Sequence, residues 1–222
     1  MKRGEWWLDH RRLVLHEPSK TLLAADLHLG YLAIRRDANE SVPVETLAEE
    51  LADLESAWNE LAPTALLIAG DLMERGTTGL LDAFSSWARD RKITLSGLVP
   101  GNHDTGLKAC PIPILHEGHQ LGRWHVSHDG ESGPYPVVHG HRHPAVPIPG
   151  HGMAPCFVFI ENRLVLPAYS VNAAGGSVAR RSVVPWDGAE VIAVAGNRVE
   201  TLGSIENLRD VLYSSKRTRR KP

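Results

Sequence analysis

Cysteine is nearly absent from this 222-residue chain: Cys110 and Cys156 are the only two, and their spacing forms no pair motif. That removes a disulfide-stapled scaffold and a thiolate zinc site, so any metal must be held by oxygen and nitrogen. Long apolar runs are missing as well. Nothing approaches the roughly 18 residues of a membrane-spanning helix, and the opening MKRGEWWLDHRR lacks the apolar stretch of a secretory leader. The expectation is a cytoplasmic protein with no membrane association. Nor is there an excess of one charge. Lys and Arg total 24 against 26 Asp and Glu, a formal charge of -2, which speaks against nucleic-acid binding by bulk electrostatics. Any such partner must be met locally. Hydrophobic residues make up 42% of the chain, enough to bury one core, so residues 1–222 are expected to form a single domain. The basic run from about 214 to 222 is expected to be a disordered tail.

What the sequence has in quantity is histidine, and nine of the 12 lie between positions 103 and 151. Around and before them, short runs rich in Val, Ile and Leu at 21–25, 65–69, 93–99, 124–127 and 137–139 predict buried strands. Between the first two, Val44, Leu47, Leu51, Leu54, Trp58 and Leu61 recur by threes and fours, which predicts an amphipathic helix started by Pro43. Leu80, Leu81, Phe84, Trp87 and Ala88 predict a second helix before the next strand. Strand and helix thus alternate through the first half, as in crossover units of a mostly parallel sheet. After residue 110 the strands come closer together, with two-residue turns at Glu161-Asn162 and Gly196-Asn197 that predict antiparallel hairpins. Ser204 can cap a last helix carrying Ile205, Leu208, Val211 and Leu212.

Five of the strand-like runs end in groups able to bind metal: Asp26-Leu27-His28, Gly70-Asp71, Gly101-Asn102-His103-Asp104, Ser127-His128-Asp129 and His139-Gly140-His141-Arg142-His143. Ligands of open α/β sheets bind at the carboxyl ends of strands, so five such endings can converge on one place. Residues two apart on extended chain point the same way, which lets Asp26 with His28, and His141 with His143, each clamp one ion. Glycines at 70, 101 and 140 permit tight turns or close backbone approach beside these donors. His128 stands at its run's end, where the other donors stand, and is preferred to His125 as the ligand. His139 reads as a buried neighbour. His10, His16, His116, His119 and His151 read as ordinary side chains, and the six Trp as core and edge packing.

In order and in content these blocks resemble the calcineurin-like metallophosphoesterases, whose signature runs D-x-H, G-D, G-N-H-D or G-N-H-E, H, and G-H-x-H. The resemblance implies an α/β fold of two packed sheets, with mixed parallel and antiparallel strands, flanked by helices. It also implies that Asp26, His28, Asp71 and His143 hold one divalent cation while Asp71, Asn102, His128 and His141 hold a second, with Asp71 bridging. His103 would face the substrate phosphate as the catalytic group, and Asp104 would orient its ring. Two cations about 3.5 to 4 Å apart acidify water and grip phosphoryl oxygens. Such a site needs no Ser or Cys nucleophile.

A narrower resemblance rests on A-D-L-H-L-G at 25–30, the Arg-rich stretch after it, G-H-R-H-P at 140–144, P-C-F-V-F at 155–159, L-P-A-Y at 166–169 and A-G-G at 174–176. These are similar to the bacterial ligase-associated metallophosphoesterases. That implies a manganese-dependent phosphodiesterase or DNA endonuclease in DNA repair, acting on single-stranded or distorted DNA and encoded beside a DNA ligase and a helicase. Iron and zinc are the alternative cations, because mixed oxygen and nitrogen shells select no single metal. Arg35 and Arg36 are candidates to meet the substrate, whereas Arg142, between two ligands, is expected to point away. The chain departs from that pattern at Tyr31, where Lys is expected, and at 37–41, which bears on substrate preference. Two other readings stand beside it: a nucleotide or nucleotide-sugar pyrophosphatase of the same superfamily, and a non-catalytic protein-binding scaffold with this fold. The scaffold predicts missing ligands, and none is missing.

Overall fold

Leu22 and Ala24 face one way and Leu23 and Ala25 the other, and all four are fully buried. A strand covered on both faces belongs inside a layered fold. The structure, a computed structural model, describes residues 1–218 apart from 76, 78, 108–109, 132–135, 151, 174 and 181–185, with side chains through 213. Its first half holds β1 (Lys2–Arg3), β2 (Trp6–Leu8), β3 (Val14–His16), β4 (Thr21–Ala24), α1 (Tyr31–Asp37), α2 (Leu47–Glu50), α3 (Ala52–Leu61), β5 (Ala65–Ala69), α4 (Leu80–Asp90) and β6 (Leu95–Val99). The second half holds β7 (His119–Leu121), β8 (Trp124–Val126), β9 (Val137–His139), β10 (Pro144–Ile148), β11 (Gly152–Ile160), β12 (Arg163–Val165), β13 (Gly176–Ser177), β14 (Glu190–Ala195), β15 (Arg198–Ser204) and α5 (Ile205–Thr218).

The first six strands form one sheet in sequence order, antiparallel from β1 to β4 and parallel across β4, β5 and β6. The other nine form a second sheet in which β11 pairs β10 through its first half and, through its second, β12 and β14 on opposite edges. Both expected hairpins are present and antiparallel. The second half is not antiparallel throughout, because β9 runs parallel to β8 and to β12. Between the sheets lies a core of Trp6, Leu23, Leu67, Val126, Val138, Phe157 and their neighbours. On the far side of the first sheet, Leu22, Leu66 and Ile68 pack under Leu54, Phe84 and Trp87 of α3 and α4. On the far side of the second, Val158 and Val165 pack under Trp186 and Ile205.

Two helices differ from expectation. The helix predicted from Pro43 begins at Leu47, because Thr46 and Glu49 close a capping box: the Thr46 hydroxyl accepts from the Glu49 amide at 3.2 Å and the Glu49 carboxylate from the Thr46 amide at 2.7 Å. Leu51, at φ -101° and ψ 4°, then divides the segment into α2 and α3. The Tyr169 hydroxyl satisfies backbone groups at this break, donating to the Glu50 carbonyl at 3.0 Å and accepting from the Leu54 amide at 3.1 Å. Helix α1 carries no long apolar period and was not anticipated. Of the segments given a reading above, 219–222 of the basic tail, Ala174 and His151 lie outside the described residues. Among the described residues no helix is long and apolar enough to cross a membrane.

Candidate metal centre

Past their carboxyl ends, the central strands continue to hold one another through backbone bonds. The Asp26 amide donates to the Gly70 carbonyl at 3.0 Å, His28 to Asp71 at 2.9 Å and Gly140 to His128 at 3.1 Å. The loops after β4 and β5, and those after β8 and β9, are therefore zipped together in pairs. Five predicted donors sit in the left-handed region: Asp26 (φ 53°), His28 (47°), Asp71 (46°), His141 (65°) and His143 (42°). Such backbone costs of order 1–3 kcal/mol per residue and persists where the surroundings over-determine it, which is common at functional sites. The glycines serve close approach. A Cβ on Gly101 would lie 2.2 Å from Asp71 Oδ1, and one on Gly140 2.3 Å from Asp26 Oδ2.

The structure brings all seven predicted donors together. In one set, Asp26 Oδ1 lies 3.5 Å from His143 Nε2, which lies 3.4 Å from His28 Nε2, which lies 3.9 Å from Asp71 Oδ2. In the other, His128 Nε2 lies 3.6 Å from that same Asp71 Oδ2, 3.1 Å from Asn102 Oδ1 and 3.0 Å from His141 Nδ1. Donors held about 2.1 Å from one cation, at angles between octahedral and tetrahedral, sit about 3.0 to 3.4 Å apart. Three of the six spacings fall in that range, two lie within about 0.2 Å of it and the sixth, His28 to Asp71, is longer; the ring nitrogens face one another at 3.0 and 3.4 Å. Burial also keeps imidazoles neutral, as ligation requires: it lowers His28 and His141 below the ordinary histidine value. The donor set fits divalent cations, in clusters of Asp26 with His28 and His143 and of His128 and His141 with Asp71. Its other oxygen, Asp71 Oδ1, accepts from the His103 backbone amide at 2.8 Å.

The partner of His103 differs from expectation. Its Nδ1 donates to Glu74 Oε1 at 2.6 Å, and Glu74 Oε2 accepts from His28 Nδ1 at 3.1 Å. One carboxylate thus sets the tautomer of two imidazoles, leaving Nε2 of His28 toward the donor cluster and Nε2 of His103 for other partners. Burial would raise Glu74, but the Arg75 amide, the His103 bond and the His103 charge outweigh it and hold the carboxyl below its ordinary range. Asp104, given the orienting role by sequence, instead accepts from the Met73 amide at 3.2 Å and the Gly101 amide at 2.9 Å. It braces the turn beneath His103, and burial pushes its carboxyl up. Glu74 was missed because it stands alone three residues past Asp71; its signal was an acidic residue on a ligand-bearing loop.

The remaining candidates are dispersed. Arg35 pairs with Glu40 and lies over the Tyr31 ring at 5.7 Å, and Arg36 is exposed on α1, so neither is placed against the donors. Arg142 turns to Glu131 at 2.9 Å. His125 packs beneath Gly118 on β8. His139 is buried with Nδ1 on the Gly140 carbonyl at 3.0 Å, and burial pushes it down to about 4. Cys156 is buried, and Cys110 only partly so.

Residues 19–160 match the family model described as calcineurin-like phosphoesterase. No curated protein matches. Among solved structures, the nuclease MPE of Pseudomonas putida superposes with a TM-score of 0.72 at 26% identity, over 90% of this chain and 96% of that one. YfcE, a phosphoesterase from E. coli, aligns at 13% identity and a TM-score of 0.41 over 85% of this chain and 94% of its own.

Proposed function

Because the chain belongs to the calcineurin-like phosphoesterase family and is a metal-dependent phosphoesterase, we propose that it hydrolyses phosphodiesters of DNA at a centre of two divalent cations, with manganese the native ion. The observation that carries the reading is the shared oxygen: Asp71 Oδ2 stands within reach of both donor sets. The nucleic-acid substrate is supported by the likeness to the Pseudomonas putida nuclease. The DNA-repair setting, the neighbouring ligase and helicase, and a cytoplasmic location rest on the sequence resemblance and composition alone.

When bound, the cation pair supplies Lewis acidity, lowering the pKa of water and offsetting phosphoryl charge. The chain does the rest. Asp26, His28 and His143 on one side, and Asn102, His128 and His141 on the other, fix where that charge sits. The His103 ring, 27% exposed, is open to substrate. Its Nδ1 proton is held by Glu74, so a proton on Nε2 can be donated to the departing ester oxygen while the carboxylate stabilises the imidazolium. Because Asp71 also holds the His103 amide, the ring keeps a set distance from the donors.

The test is a manganese-loaded assay of bis(p-nitrophenyl) phosphate, its monoester, a nucleotide sugar and single-stranded DNA, with Asp71→Ala and His103→Ala as controls. Diester and DNA turnover are expected, abolished by Asp71→Ala and strongly reduced by His103→Ala. Full activity in Asp71→Ala refutes the bridging role, and turnover confined to the nucleotide sugar points to a pyrophosphatase.

A further inference from the structure

On the His28 side of the donor cluster the surface sinks into a cavity of about 190 Å³, with Leu27 and His28 in one wall. Whatever fills it lies directly against the first donor set. Tyr31 contributes an aromatic ring to the lining, and carboxylates of the α2–α3 segment form the opposite side.

Charge limits what can enter. The guanidinium in the lining, Arg12, is already paired with Asp53 at 3.0 Å. A phosphate inside the cavity meets four carboxylates and one paired guanidinium, so the backbone of a nucleic acid is favoured at the cation centre beside it rather than within it. The base is the one part of a polynucleotide that is uncharged, flat and able to donate hydrogen bonds. Of the four carboxylates in the lining, Asp53 is committed to Arg12, Glu49 to the Thr46 cap, and Glu45 is exposed to solvent. Glu50 is different. It is half-buried, and it accepts from the Gly30 amide at 3.3 Å; a carboxylate has about four acceptor positions, so capacity is left. Asn172, also in the lining, brings amide donors.

These groups discriminate among bases. Guanine alone presents two adjacent donors on its Watson–Crick edge, N1–H and the 2-amino group, followed by the O6 acceptor. Adenine and cytosine set one donor beside an acceptor that a carboxylate repels, and thymine sets its single N–H between two carbonyls. We propose that this cavity is a nucleobase subsite selective for guanine, with Glu50 as the specificity-determining residue, Asn172 meeting O6 and Tyr31 stacking on the ring. The subsite deepens, and rests on, the reading of the chain as a nucleic-acid phosphodiesterase. It reads an unstacked base, which is how proteins recognise single strands.

Nucleosides carry no phosphate and probe the cavity apart from the cations. The four deoxynucleosides, and choline, are tested as inhibitors of bis(p-nitrophenyl) phosphate hydrolysis by the manganese-loaded full chain, wild type and Glu50→Gln. Deoxyguanosine is expected to compete with an inhibition constant about tenfold below that of thymidine, the scale of one bidentate base contact. Glu50→Gln should bring that ratio close to one. Equal inhibition by all four, no inhibition, stronger inhibition by choline, or an unchanged ratio in Glu50→Gln each overturns the assignment. The wild-type ranking needs no variant to fold. Selective inhibition by deoxyguanosine in an enzyme that fails to cut DNA would leave the subsite standing and defeat the DNA reading instead.

Discussion

Replacing Gly140 by alanine isolates the packing of backbone against a metal donor. Gly140 is not at positive φ, so an alanine there carries no left-handed strain. Its Cβ would nevertheless lie 2.3 Å from Asp26 Oδ2 and 2.7 Å from the Ala25 Cβ. Against an ordinary contact of 3.4 Å, the carboxylate must yield by about 1.1 Å. It has nowhere to swing: Asp26 is fully buried, and its two oxygens accept from the His141 amide at 2.8 and 3.1 Å. Metal-site geometry tolerates about 0.5 Å, and a misplacement of about 1 Å costs on the order of 100-fold in rate. Gly140→Ala should therefore lower turnover of bis(p-nitrophenyl) phosphate about 100-fold and reduce manganese bound per chain. Overpacking should cost about 1 to 3 kcal/mol in urea unfolding. Gly79→Ala is the control, with nothing within 4 Å of the new methyl and helical angles of -62° and -18°. It should keep full activity and change stability by less than about 1 kcal/mol, since the stiffer unfolded chain and the poorer N-cap oppose one another. A Gly140→Ala enzyme within about twofold of wild type, with full metal content, refutes the claim that Asp26 is held in place by this contact.

Glu74→Gln leaves one oxygen for two imidazoles and should lower kcat or manganese affinity about 10- to 100-fold; unchanged kinetics would show that neither ring depends on Glu74. Tyr169→Phe strands the Leu54 amide and the Glu50 carbonyl inside the protein and should lower stability by about 1 to 3 kcal/mol, read by urea denaturation. A neutral result there means that the break between α2 and α3 is held by something else. Adding manganese to the chelated protein at about 100 times its dissociation constant should raise Tm by about 5 to 10 °C for each site filled, about twice that for the pair. No shift would mean that the donor cluster takes no cation in the folded state.

The seven donors were legible because each stands at or just past the end of an apolar run, a position read from hydrophobicity; parallel pairing of β4, β5 and β6 brings together those of the first sheet, and parallel pairing of β8 and β9 those of the second. What escaped depends on turns. Asp104 and Glu74 are both acidic residues on loops beside the centre, and only the path of backbone after Gly101 and Asp71 determines which of them meets the His103 ring. The capping box at Thr46 was present as a T-x-x-E pattern, yet the apolar period continued past it to Val44, which is 72% exposed. Periodicity reports which residues could line one face and is silent on where backbone stops being helical. Parallel pairing of β9 with β8 and β12 was hidden for a related reason: a three-residue strand such as Val137–His139 carries no signal of its neighbours' direction.

The convergence of seven donors on a cation pair meets its sharpest trial in anomalous diffraction from manganese-soaked crystals. Two peaks should flank the Asp71 carboxylate, one bounded by Asp26, His28 and His143 and the other by Asn102, His128 and His141. A single peak, or one held by His28, Glu74 and His103 instead, would contradict it.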